Sequence, residues 1–240
     1  MVQNLLSGGV VNPTARMIGL DSAFLAKLNG ERLWGAVIVI LHLVGGTTAA
    51  FGFTHYILPL TPLHLAICAG IVMAFTGSES PWKWALTMFL GFGVEVIGVE
   101  TGLLFGDYEY GSGLGPKVLK VPMLMGVLWW ILLLGTHHWS SRWLSSLKTK
   151  KMPILRAAMA ASLMTAMDFL IEPVAVRAGW WTWSAGDIPI SNYVTWWIVA
   201  FALGLLWRDE DDLKTNRLSG LLVVAYAFFI GLLNLLSWTL

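Results

Sequence analysis

The sequence predicts an all-α, polytopic membrane bundle of about seven transmembrane helices with its N-terminus in the cytoplasm. Three observations lead there. Of 240 residues, 57% are hydrophobic and only 12% charged, where a soluble domain carries about 25% charge; mean hydropathy is +0.71. Several apolar runs exceed the roughly 18 residues that mark a membrane-spanning helix. Basic residues also fall unevenly when seven spans are laid along the chain. Arg16, Lys27, Arg32, Lys83, Arg142, Lys148, Lys150, Lys151, Arg156, Arg208, Lys214 and Arg217 share the side of the N-terminus, and only Lys117, Lys120 and Arg177 face the other. Positive charge stays inside, so this partition sets the orientation, and a missing or added span would scramble it.

The elements follow in order. Residues 1–32 form a cytoplasmic lead-in, short and amphipathic or disordered, without the apolar core of a secretory signal. Residues 33–240 form one membrane domain, because the polar connections are too short to make a second. Span one is Leu33 to Phe53 and contains His42; a very short link makes a tight hairpin with span two, Tyr56 to Phe75, which Pro59 and Pro62 bend or delay. Gly77 to Trp82 is a turn. Span three, Lys83 to Phe105, is followed by the loop Gly106 to Lys120. Span four is Val121 to Trp139, and Ser140 to Pro153 is a basic loop. Span five is Ile154 to Val174, and a Trp-rich connector runs from Ala175 to Asn192. Span six is Tyr193 to Trp207, Arg208 to Arg217 is a charged loop, and Leu218 to Trp238 is span seven. No sequence repeat is evident.

Several function classes are excluded. Net charge is +1, and neither a long basic run nor a nucleic-acid motif is present. The single Cys68 precludes an internal disulfide or a thiolate cluster. No glycine-rich nucleotide motif occurs. Asp209 to Asp212 is a solvated loop rather than one of the paired aspartate-rich motifs that hold a prenyl diphosphate through magnesium. Seven spans suggest a retinal photoreceptor, but span seven has no lysine for a Schiff base. Transporters are disfavoured by the lack of repeats and paired broken helices.

Two stretches stand out, Glu95 to Pro122 and Asp168 to Trp183. Carboxylates inside a membrane are costly and mark functional sites. At 1.5 Å per residue, Glu95 and Glu100 lie about 18 and 25 Å along span three, and Asp168 and Glu172 about 21 and 27 Å along span five. The depths match, in the outer half of the bilayer. Asp168 and Glu172 share a helix face, whereas Glu95 and Glu100 diverge by about 140°, so at most one looks into a common site. Gly91, Gly98 and Gly102 allow a neighbouring helix or a flat substrate to approach. Like charges gathered in low dielectric cannot all ionise, so at least one stays protonated near neutral pH. A neutral acid beside an ionised one is a general acid with a general base, and the stretches are expected to meet in a site that protonates an apolar substrate. A single buried carboxylate is as readily a packing element; several at one depth, beside Asp107, Tyr108 and Tyr110, favour a site.

Trp129, Trp130, Trp139, Trp180, Trp196 and Trp197 are assigned to an interfacial aromatic belt. Trp181 and Trp183, flanking the acidic stretch, are assigned to a pocket wall able to stabilise a cation. His42, His55, His64, His137 and His138 lack metal-ligand spacing with a carboxylate, and His137 and His138 face the cytoplasmic end.

Glu95, Thr101-Gly102, Phe105 to Tyr110, Leu114-Gly115 and Val121-Pro122 resemble the first signature of a membrane carotenoid-biosynthesis family that includes the CruF-type carotenoid 1,2-hydratases. Asp168, Glu172-Pro173, Trp181 to Trp183, Ile188-Pro189, Asn192-Tyr193 and Trp196 resemble its second. The resemblance covers less than half the chain. It implies water addition to the terminal double bond of an acyclic carotenoid end, as in lycopene or gamma-carotene, giving a tertiary alcohol. It also implies residence in a bacterial or archaeal cell membrane, with carotenoid, water and membrane lipid as partners and other carotenoid-synthesis enzymes as further candidates.

That chemistry needs a protonated carboxyl, a water-orienting base and an electron-rich wall, and neither a redox cofactor nor a metal. The residues themselves suggest Asp168 as general acid, Glu95 sharing its proton or orienting water, and Glu172 supplying water or protons, with the Asp168 and Glu95 roles exchangeable. Tyr108, Tyr110, Trp181 and Trp183 shape the pocket, with Glu100, Asp107 and Asn192 as further substrate-binding candidates. A membrane lycopene cyclase and a non-enzymatic carotenoid- or quinone-binding protein are the rival readings.

Overall fold

The structure is a computed structural model that describes residues 22–75, 81–146, 152–207 and 217–236, with side chains from residue 30 onward. Seven helices are described: α1 (Ser22–Ala50), α2 (Thr54–Phe75), α3 (Pro81–Thr101), α4 (Leu124–Trp143), α5 (Met152–Arg177), α6 (Ile190–Leu205) and α7 (Arg217–Leu235). Their order is that of the seven expected spans. All but α4 and α6 are long and apolar enough to cross a membrane, and the chain is an integral membrane protein. The exterior agrees with this. Leu43, Phe89, Ile97, Phe169, Ile198 and Phe228 are exposed, a surface suited to lipid and adverse in water.

The two exceptions have different causes. α6 has 16 residues and is short for a span. α4 has 20 but carries His137, His138, Ser140, Ser141 and Arg142. It occupies the middle of the bundle, against α3, α5 and α7, and Trp129 to Leu134 are wholly or almost wholly buried. A helix enclosed by other helices need not be lipophilic all round.

The helix ends differ from the sequence expectation for local reasons. α1 begins at Ser22, so part of the expected lead-in is helical. In α2 the chain turns through one α-turn, Thr54–Ile57, and a 3₁₀ turn, Leu58–Leu60, before continuing as α-helix from Thr61. Pro59 lies in that 3₁₀ turn, where its missing N–H costs least. α3 stops at Thr101 because Gly102 takes a left-handed φ of +66° while its N–H reaches the Gly98 carbonyl. Val121-Pro122, expected to open span four, instead forms a strand. The basic loop is shorter than expected, since α4 runs to Trp143 and α5 starts at Met152. Of the expected turn Gly77 to Trp82, Pro81 and Trp82 instead open α3, and residues 77–80, like the run Asp209 to Asp212, lie outside the described residues.

The two connections expected as loops are stitched into short ladders. β1 (Tyr108–Tyr110) pairs antiparallel with β4 (Trp181–Trp183), in the register Tyr108 to Trp183 and Tyr110 to Trp181. β2 (Lys117–Val118) pairs with β3 (Val121–Pro122). Further bonds join the connections: Gly111 N–H to the Trp180 carbonyl at 2.8 Å, Ser184 N–H to the Asp107 carbonyl at 3.0 Å, and the Ser191 hydroxyl to the Phe105 carbonyl at 3.0 Å. The residues after α3 and those after α5 therefore form one cap over one end of the bundle.

Candidate active site

The cap aims four aromatic side chains inward. Strand side chains alternate in direction, and in both β1 and β4 the outer two residues are buried and the middle one exposed. Glu109 and Thr182 thus face out, and Tyr108, Tyr110, Trp181 and Trp183 face the helices. Below them lie Glu95 on α3, Asp168 and Glu172 on α5 and Asn192 on α6, each 2% exposed.

Each glutamate collects three donors. Glu95 Oε2 accepts from the Tyr108 and Tyr110 hydroxyls, both at 2.7 Å, and Oε1 accepts from Trp129 Nε1–H at 2.8 Å. Glu172 Oε2 accepts from Trp181 and Trp183 Nε1–H, both at 2.9 Å, and Oε1 accepts from Asn192 Nδ2–H at 3.2 Å. The same amide donates to Asp168 Oδ2 at 2.8 Å. Asp168 has that single hydrogen bond among the described residues. A carboxylate is an acceptor only, and its protonated form must donate. Three converging donors suit the ionised form at Glu95 and Glu172, each bond contributing about 1.5–3 kcal/mol to a charged partner. Asp168, with one donor and a free Oδ1, is the carboxyl best arranged to carry a proton.

The carboxyls and the four cap aromatics enclose a cavity of about 20 Å³, completed by Phe105, Met125, Asn192 and Trp196. One water needs at least about 10–15 Å³ measured in this way. The cavity therefore has room for one water between acids and rings.

Of the residues expected from sequence, Glu95, Asp168, Glu172, Tyr108, Tyr110, Trp181, Trp183 and Asn192 come together here. Glu100 and Asp107 do not line this cavity. Glu100 is half exposed and paired with Lys120 at 3.0 Å, and Asp107 is exposed, its carbonyl committed to Ser184. The glycines serve the protein's own side chains rather than a substrate. A Cβ on Gly91 would lie 2.6 Å from Trp129 Cβ, and one on Gly98 would lie 2.5 Å from Phe105 Cδ2 and 3.1 Å from the Tyr108 hydroxyl.

Trp129 and Trp196 do not belong to an aromatic belt. They stack at 4.1 Å with planes 12° apart, both are buried, Trp129 bonds Glu95 and Trp196 lines the cavity. A tryptophan in the middle of a helix that carries no charge near it was the available signal, since a buried indole N–H requires an acceptor. Phe105 and Met125 were also missed, and nothing in their residue type distinguishes them from core. Among the described residues no group of three His, Cys, Asp or Glu side chains is placed to hold a metal ion.

Comparison with known proteins identifies the family. A model of the family described as carotenoid biosynthesis protein matches residues 38–240. The bisanhydrobacterioruberin hydratase of Haloarcula japonica is 27% identical over 154 residues, which is 62% of this chain and 52% of that protein. The matched part is thus about half the length of that relative. No solved structure gives a significant match. With more than half its length matched by the family model, the chain belongs to the carotenoid biosynthesis protein family.

Proposed function

We propose, starting from that family membership, that the protein hydrates the terminal C=C of an acyclic carotenoid end. The observation that carries this reading is the inequality of the three carboxyls around a cavity of one-water size. Asp168 has one donor and Glu95 and Glu172 have three each.

Asp168 protonates the less substituted alkene carbon, and the π-electron pair forms the new C–H bond. The adjacent carbon becomes a tertiary cation. The ring faces of Trp181, Trp183 and Trp196 stabilise it, a contact that contributes about 2 kcal/mol or more when water is excluded. The cavity water adds through its lone pair and gives its proton to Glu95, whose Oε1 accepts only one protein donor. The next water to enter the cavity that the three carboxyls share carries the proton from Glu95 back to Asp168, with Asn192, bonded to both Asp168 and Glu172, holding it in line. The sum is alkene plus water giving a tertiary alcohol. A water-sized cavity favours this outcome over cyclisation, which requires water to be excluded. The same proposal places the N-terminus in the cytoplasm, by charge, and the site on the opposite side of the membrane.

Expression in cells that accumulate lycopene, followed by mass analysis of the pigments, tests the reading. A product heavier by one water, absent with Asp168→Asn, is expected. A product of unchanged mass and shifted retention would establish cyclisation instead. Bound pigment without conversion of lycopene, gamma-carotene or other acyclic-ended carotenoids would identify a binding protein.

A further inference from the structure

The acid cavity is too small for its own substrate. About 20 Å³ admits a water but no branched alkene end, so the hydrocarbon must lie elsewhere and reach in. A second cavity of about 230 Å³ adjoins it. Val44 and Gly45 of α1, Leu60 and His64 of α2 and Tyr226 and Phe229 of α7 line it. Trp181 borders both spaces, with its N–H held by Glu172 and its ring edge-on to Tyr110 at 5.9 Å. One side chain therefore separates a roomy apolar channel from the acids.

Three features say what the channel takes. Val44 and Leu60 are 57% and 55% exposed, on the apolar exterior, so the channel opens sideways toward lipid and not toward water. The two histidines in its wall are hydrogen-bonded, His42 Nδ1 with the Ile38 carbonyl at 2.7 Å and His42 Nε2 with His64 Nε2 at 3.3 Å, and the Tyr226 hydroxyl is buried beside them without a hydrogen bond among the described residues. His42 and Tyr226 lie edge-to-face at 5.0 Å, and apart from Thr61 and these rings the wall is aliphatic and aromatic, a lining suited to a conjugated hydrocarbon. A third cavity, of about 280 Å³ between α4, α5 and α7, shares no residue with the acid site.

We propose that the channel between α1, α2 and α7 holds the hydrocarbon body of an elongated isoprenoid entering from the bilayer. In this arrangement Trp181 is the partition that swings to admit the end group to Asp168 and sets how far it reaches. The inference rests on the hydration reading for its chemistry, but the binding step stands apart from it.

Val44→Trp and Leu60→Trp fill the mouth from exposed positions where a large ring leaves the core untouched, and Phe89→Trp, equally lipid-exposed on α3, is the control. The full-length variants are purified in detergent from lycopene-accumulating cells. Co-purified pigment is read by absorbance, product by mass, and folding by thermal melting. With melting unchanged, both mouth variants should lose pigment and conversion by about tenfold or more, equivalent to about 1.4 kcal/mol of binding, because the added ring occupies the path of the chain. Phe89→Trp should match the wild type. Asp168→Asn should keep its pigment and form no product. Wild-type pigment and conversion in both mouth variants would overturn the channel while leaving hydration intact. Pigment binding that the mouth variants abolish, in a protein that never forms a hydrated product, would uphold the channel and overturn hydration.

Discussion

The α3–β1 and α5–β4 regions solve the same problem with different residues. Each helix buries a glutamate under the cap, and each following strand turns two alternating aromatic donors back onto it: the hydroxyls of Tyr108 and Tyr110 onto Glu95, the indoles of Trp181 and Trp183 onto Glu172. A third donor comes from the following helix, Trp129 of α4 or Asn192 of α6. A proline precedes each of those helices, Pro122 and Pro189. The antiparallel pairing of β1 with β4 then faces one unit toward the other. The correspondence is one of placement and not of sequence. What differs is Asp168, one turn before Glu172 and without a counterpart on α3, where Gly91 stands four residues before Glu95 and admits Trp129 instead. Two matched glutamates with full donor sets make a polar frame, and the unmatched aspartate inside it supplies the chemistry.

Removing the unmatched residue tests this contrast most strongly. Asp168→Asn keeps the shape and loses the proton. Turnover should fall by about 10²–10⁴-fold, the usual contribution of a general acid, with the thermal midpoint nearly unchanged. Full activity in this variant would end the asymmetry on which the mechanism depends.

The glutamates come next, and they should not be equal. Glu95→Gln removes the water's base and sets an amide N–H₂ where one carboxylate oxygen had accepted, so product formation should drop by about 10²-fold. Glu172→Gln should cost about tenfold, the loss of one charge-assisted bond's worth of positioning. Equal losses, measured as initial rates on the same pigment, would mean that either half can serve as base.

Stability should show the frame to be symmetric. Tyr110→Phe and Trp183→Phe each delete one donor to a buried carboxylate, and each should lower the unfolding free energy in detergent by about 1.5–3 kcal/mol. A large difference between them would show that one half bears more of the frame.

The smallest effect belongs outside the cavity. Glu100→Gln breaks a half-exposed pair with Lys120, of a kind contributing at most about 1 kcal/mol, and conversion should stay within about twofold of wild type. A dead Glu100→Gln would extend the site beyond the cap.

The amino-acid sequence by itself determined the helices, their order, and how far along their helices four carboxylates lie, because those properties are local. Apolar run length, helical rise and proline and glycine positions depend on residues within a few turns. It also determined that Glu95 and Glu100 diverge, since five residues turn a helix through about 140° from eclipsed. It could not choose which of the two faces inward. Tertiary structure made that choice when α4 packed on α3 and brought Trp129 to Glu95 across 34 positions. The ladder between β1 and β4 was equally out of reach, because three-residue strands are too short for alternation to register and their partners lie more than seventy residues apart. Donor number at each carboxyl, and with it the difference between Asp168 and the glutamates, follows from that pairing. Hydrogen bonds that set protonation are made between elements, and no local pattern encodes them.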